Sequence, residues 1–258
     1  MSTCVVVIPI YKKQFDTDET GCVDRYMKIL SQRDIVFVSP ENLDKSWYQD
    51  RYPKVQFMNF LDKYFKGIKG YNRLLLNQDF YRRFEQYDYM LIAQPDACLM
   101  TNEDILDEFM QLGYDYFGAP WIPERRIWEW TKHKKKSFPF FSIRCAKKKG
   151  QGIEMGNGGF CLRSVSGCKA LVKEFFWRKI YWFWKRNEDI FFGLFGRENK
   201  CGFKLADKDS GLRFAREYNL RESLEQGLIP FGIHGYQKEF PTFEDLRNYM
   251  LNKGYWND

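Results

Sequence analysis

Apolar residues fall along this chain in short blocks, and the blocks alternate between two periods. Val5 to Ile10 is a β-branched run that stops at the turn-like Tyr11-Lys12-Lys13, which predicts a first strand. Val23 to Leu30 carries a helical pattern. Asp34 to Pro40 predicts a second strand closed by Pro40, and Val55 to Met58 a third. A helix is predicted from about Gly70 to Phe84, with Leu74, Leu75, Phe80, Tyr81 and Phe84 on its buried side. Tyr87 to Ala93 then predicts a strand ending at Gln94-Pro95-Asp96. Strands separated by helical segments predict an α/β fold with a mostly parallel central sheet. Ligands of such sheets sit outside the carboxyl ends of the strands. Tyr11 and Asp96 both fall just beyond strand ends, which marks them before any other consideration.

The second half changes character. Residues 113–121, GYDYFGAPW, are rich in Gly, Pro and aromatics, and residues 125–150 are rich in Lys and Arg in a loop-like context. GNGGF at 156–160 predicts a tight turn leading into a short strand, Phe160 to Arg163. Residues 166–186 read as a helix packed with Phe and Trp. No internal repeat or low-complexity linker divides the chain, so residues 1–258 are expected to form one domain.

Composition narrows the function classes. The mixture is that of a globular protein, with 44% hydrophobic and 29% charged residues. The longest apolar runs are too short for a transmembrane helix, and the apolar start lacks the preceding basic segment of a signal peptide. Seven cysteines occur, an odd number without a CxxC pair, so reduced thiols and a cytoplasmic location are expected. A net charge of +7 favours an anionic partner: a nucleotide diphosphate, nucleic acid or an acidic lipid surface.

Four places can carry chemistry. Asp96, a lone carboxylate after a strand, can hold a hard divalent cation that neutralises a diphosphate, or can cap the following turn. Asn157, Gly158 and Gly159 let backbone approach a ligand closely and supply positive φ, or form a structural turn. Glu188 and Asp189 are adjacent carboxylates at a helix start. They point different ways, so one can bind a hydroxyl while the other acts as base, or both answer the helix dipole. His234 lies in the Gly-rich Pro230 to Gly235 and is a candidate ligand or phosphate donor, or a satisfied structural histidine. With two histidines in the chain and no GxSxG, triad hydrolase chemistry has little support.

These motifs occur in the order VVVIPIY, GYNRLLLNQDFYRRFEQYDYMLIAQPDA, GYDYFGAPW, GNGGFCLR, NEDIFF and PFGIHGY. The series resembles a family of microbial glycosyltransferase-like domains of unknown function, over roughly residues 4–237. At greater distance it is similar to GT-A glycosyltransferases of the galactosyltransferase and fringe type. The resemblance implies a GT-A-like (Rossmann-like) domain that moves a sugar from a nucleotide-diphosphate sugar to an acceptor hydroxyl. Pro9, Ile10 and Tyr11 would line the nucleotide, and Asn72 would approach the base or ribose. Gly158 and Gly159 would border donor and acceptor, with Gln94 and Asn157 beside them. Glu188 and Asp189 would face the acceptor, Asp189 as base. Asp96 and His234 would ligate manganese(II) or magnesium(II). One departure matters: the GT-A signature is Asp-any-Asp, and Gln94 stands at the first position. A neutral amide binds a divalent ion more weakly, and cations of the Lys-rich loop could neutralise the diphosphate instead.

The acceptor expected is a cell-envelope glycan or lipid-linked precursor. The aromatic and basic segment 175–186 predicts peripheral contact with an anionic membrane, or a core helix whose charges snorkel outward. A nucleic-acid-binding protein would use Lys132 to Lys136 and Lys147 to Lys149, yet it accounts for none of GNGGF, NEDIFF or PFGIHGY, so no nucleic acid is expected. A catalytically silent sugar- or lipid-binding module on the same fold is the other alternative.

Overall fold

The structure, a computed structural model, describes residues 2–125, 153–176 and 187–257. Its centre is a six-stranded mixed, mostly parallel sheet in the order β3-β2-β1-β4-β9-β6. The strands are β1 (Cys4–Pro9), β2 (Asp34–Pro40), β3 (Gln56–Phe60), β4 (Tyr89–Ala93), β6 (Tyr116–Phe117) and β9 (Phe160–Ser164). β1 pairs in parallel with both β2 and β4, β2 pairs in parallel with β3, and β9 runs antiparallel to β4 and β6. Every residue of β1 is buried, as a central parallel strand requires. β9 is buried throughout as well, although it carries Arg163.

Two smaller sheets close one end. β5 (Ala97–Leu99), β10 (Ala215–Arg216) and β11 (Gly232–His234) form a three-stranded sheet in the order β10-β11-β5. β7 (Pro120–Arg125) pairs with β8 (Ile153–Met155). The main core fills the space around the large sheet. A second cluster, with Cys98, Leu220, Ile233, Tyr236, Leu246 and Trp256, packs under the three-stranded sheet.

Local signals place the helices. The helix Thr17–Ile29 starts in a capping box, with Asp16 and Glu19 each accepting the other's backbone N–H. The helix expected over Gly70 to Phe84 is instead two, Gly67–Leu75 and Gln78–Arg82. Asn77 divides them, because its side chain accepts the Asp79 N–H at 3.0 Å and starts a new helix rather than continuing the old one. The helix expected over 166–186 begins at Val165, capped by the Ser164 hydroxyl, and runs to Glu174; residues 177–186, like most of the Lys-rich loop, lie outside the described residues. Among the described residues no helix is long and apolar enough to cross a membrane.

Candidate functional site

Strand register assembles the site. β4 ends at Ala93, which pairs with Phe160 at the start of β9, and the Gln94 N–H donates to Gly159 O at 2.8 Å. The Gly-Gly turn therefore lies alongside Gln94-Pro95-Asp96. β5 follows at once, and its Ala97 pairs with His234 of β11. That pairing sets His234 beside Asp96, with Nε2 3.5 Å from Asp96 Oδ1.

A cavity of about 520 Å³ opens here, at the carboxyl ends of β1 and β4. Its lining includes Pro9, Tyr11, Asn72, Gln94, Asp96, Asn157, Gly158, Gly159, Glu188, Asp189 and His234. Ile10 does not join them: it is 1% exposed, its N–H donates to Val38 O, and its side chain belongs to the core. Strand alternation turns Pro9 and Tyr11 one way and Ile10 the other.

The two glycines serve close approach and not positive φ. A Cβ on Gly158 would lie 1.9 Å from Glu188 Oε1, and one on Gly159 would lie 2.4 Å from the His234 ring. The left-handed residue of the turn is Asn157, at φ 57°. Asparagine tolerates that region because its side chain bonds locally, here through Oδ1 to the Gly159 N–H at 2.9 Å.

Glu188 and Asp189 open the helix Glu188–Phe195 and diverge as adjacent residues must. Asp189 is half-buried at the cavity. Glu188 turns inward to Arg163, with Oε1 accepting from Nη2 at 2.9 Å, and their side chains are 6% and 0% exposed. Arg163 also donates to Tyr81 Oη at 3.0 Å and lies over the Phe192 ring. The pair is a buried ionic prop beneath the glycine turn. Asn72 ties the helix Gly67–Leu75 to the same helix start: its Oδ1 accepts the Glu188 N–H at 3.3 Å, and its Nδ2 donates to Asn187 at 3.4 Å.

Burial raises the Asp96 carboxyl, but the facing His234 ring, a backbone N–H and the Lys12 ammonium together hold it below its ordinary value. Glu217 behaves alike: burial raises it, and the Lys238 ammonium at 3.0 Å outweighs that and lowers it. Tyr11 is 56% exposed at the cavity mouth, an uncovered ring where a flat group could stack. For a divalent cation the site offers Asp96 and His234. No group of three or more His, Cys, Asp or Glu with metal-holding spacing occurs among the described residues.

Three residues of the site carry no expectation from the sequence. Arg163 had a signal, a charged residue inside an otherwise apolar strand, which at a buried position demands a partner. Trp121 ends GYDYFGAPW and packs its ring over Gly156, where a Cβ would lie 2.2 Å away. Glu217 had no signal; β10 and β11 bring it to the cavity.

The family described as "Protein of unknown function (DUF5672)" matches the chain over residues 54–234. No curated protein sequence matches it significantly. Among solved structures, the galactosyltransferase LgtC, in complex with donor and acceptor sugar analogs, is similar at 12% identity and a TM-score of 0.54, over 98% of this chain and 96% of its own. The S. cerevisiae mannosyltransferase Ktr4p, in complex with GDP, is similar at 10% identity and a TM-score of 0.50, over 81% of this chain and 68% of its own. Core-mannan synthase A from Aspergillus fumigatus, in an Mn/GDP form, gives 10% identity and a TM-score of 0.47, over 75% of this chain and 70% of its own. The likeness to LgtC, over nearly the whole of both chains, shows a GT-A-like fold.

Proposed function

This chain belongs to the DUF5672 family and has a GT-A-like fold, and from that premise we propose that it is a glycosyltransferase. It transfers a sugar from a nucleotide-diphosphate donor to an acceptor hydroxyl. The observation that carries the reading is that one cavity, at the carboxyl ends of β1 and β4, is lined by every site residue named from the sequence except Ile10. Six chain segments far apart in sequence bring those residues together there, which a structural turn or a lone cap does not require.

The roles follow from position. The exposed ring of Tyr11 stacks the nucleotide base, and Pro9 and Asn72 border it. The glycine turn lets the sugar lie against backbone. Asp189 takes the proton of the acceptor hydroxyl as its oxygen attacks the anomeric carbon. The bond from that carbon to the phosphate oxygen breaks, and its electron pair leaves with the nucleoside diphosphate. Direct attack of this kind inverts the anomeric centre. Glu188, paired with Arg163, holds the turn and the helix start in place and takes no proton. The donor's charge needs a counter-charge; the resemblance would draw it from manganese(II) or magnesium(II) on Asp96 and His234, and the alternative source is the cations of the Lys-rich loop. The acceptor proposed is an envelope glycan or lipid-linked precursor.

The test is release of nucleoside diphosphate from a panel of nucleotide sugars. Turnover with at least one donor, lost in Asp189→Asn by roughly 10²–10⁴-fold, supports the reading. Donor binding without release from any member of the panel would instead mark a silent sugar-binding module.

A further inference from the structure

Asn157 decides which nitrogen of His234 carries the proton. Its Oδ1 accepts the Gly159 N–H at 2.9 Å, and a backbone N–H can only donate. Turning the amide over would set hydrogen against hydrogen at Gly159. Nδ2 is therefore the atom that meets His234 Nδ1, at 3.0 Å. Nδ2 can only donate, so Nδ1 accepts with its lone pair and the proton of the neutral ring sits on Nε2.

A metal-ligating histidine has the opposite arrangement. Its outer nitrogen carries the proton and donates to a carboxylate, carbonyl or water. Here the outer nitrogen meets a donor, Gln94 replaces a carboxylate, and no third ligand completes a set among the described residues. This donor set does not fit a divalent cation.

The same atoms fit a different ligand. Nε2 is buried beside the glycine turn, and the polar group facing it is Asp96 Oδ1, 3.5 Å away, with no close hydrogen-bond partner among the described residues. A donor and an acceptor at that separation can both bond one oxygen that has a proton to give and a lone pair to receive. A hydroxyl has both. A phosphate oxygen has no proton to give and would meet the Asp96 charge unshielded.

Resting on the glycosyltransferase reading, we propose that His234 and Asp96 form a hydroxyl-reading pair, Nε2–H donating to and the carboxylate accepting from one sugar hydroxyl, in place of a metal site. Asn157 is the positioning residue that fixes the ring for this task.

The test is ¹⁵N NMR of histidine-labelled protein. The two ring systems, His133 and His234, are assigned with His133→Gln. Wild type should show His234 protonated on Nε2 and unprotonated on Nδ1. In Asn157→Asp the carboxylate still serves the Gly159 N–H but now accepts from the ring, so Nδ1 should become protonated. Electron paramagnetic resonance titration with manganese(II) alone should show no stoichiometric site that His234→Ala abolishes. An Nε2 lone pair in the wild-type protein, or one manganese(II) bound per chain and lost in His234→Ala, overturns the proposal. Wild type decides both points even where Asn157→Asp fails to fold. A donor panel without turnover would sink the glycosyltransferase reading and leave these readouts untouched.

Discussion

Gly158→Ala adds one methyl group at the most crowded point of the site. Its backbone is not in the left-handed region, so the substitution carries no conformational penalty. The steric one is large: the new Cβ would stand 1.9 Å from Glu188 Oε1, 3.0 Å from its Cδ and 3.4 Å from Arg163 Nη2. Oxygen and carbon rest at well over 3 Å, so the carboxylate must retreat by roughly an ångström or more. The oxygen that moves is the one bonded to Arg163 at 2.9 Å, and no water reaches the gap, since Arg163 is 0% exposed. A hydrogen bond between charged groups contributes about 1.5–3 kcal/mol, and breaking a buried ion pair costs about 3–5 kcal/mol. Gly158→Ala should therefore lose between about 1.5 and 5 kcal/mol of unfolding free energy, read from urea denaturation by the shift in midpoint at constant slope. The mechanism makes a second demand. In a Glu188→Ala background the clash is gone and the 3.4 Å approach to Arg163 Nη2 is ordinary contact, so the double mutant should cost less than the sum of the singles by about 1.5 kcal/mol or more. Additive costs, or a single mutant within about 0.5 kcal/mol of wild type, would refute the assignment of Gly158 to the ionic prop.

Other outcomes follow from the same geometry. Asp189→Asn should abolish transfer with donor affinity nearly intact, measured by product release beside calorimetric titration of the donor; wild-type turnover would remove Asp189 from the role of base. Glu217 lies below its ordinary value in the folded protein, so its charge contributes stability that is present above the unfolded value of about 4.3 and lost as pH falls through the folded one. The stability gap between wild type and Glu217→Gln should hold from about pH 8 to 6 and narrow below about pH 4; a gap that widens in acid contradicts the Lys238 pairing. Of the six described cysteines only Cys201 is exposed, and burial holds the Cys161 thiol up at about 11 and Cys4 at about 12. Mass spectrometry after native alkylation should find Cys201 modified and Cys4, Cys22, Cys98, Cys161 and Cys168 protected; rapid labelling of any of these five would contradict the packing.

Local pattern carried much of the fold. The blocks Val5 to Ile10 and Asp34 to Pro40 hold strands because they are rich in β-branched residues, short for a helix and closed by turn residues. Where prediction failed, as at Asn77, a side chain outcompeted helix continuation, a contest between neighbours that apolar periodicity does not register. At the site, glycine spacing announced close backbone approach, but not what approaches. Gly158 faces a carboxylate and Gly159 an imidazole, and both come from other segments.

The sequence by itself determined the alternation of strand and helix, the strand ends where Tyr11 and Asp96 sit, and the residue types available for chemistry. Those properties depend on neighbours along the chain, through backbone sterics and the burial of one face. Tertiary structure alone decided which partners those residues meet. Which ring nitrogen of His234 meets a donor is set by Asn157, 77 positions away, and the inward turn of Glu188 is set by Arg163, 25 positions away. Hydrogen-bond roles and ion pairs act over about 3 Å of space, and only the register of β4 with β9 and of β5 with β11 brings these atoms within that range.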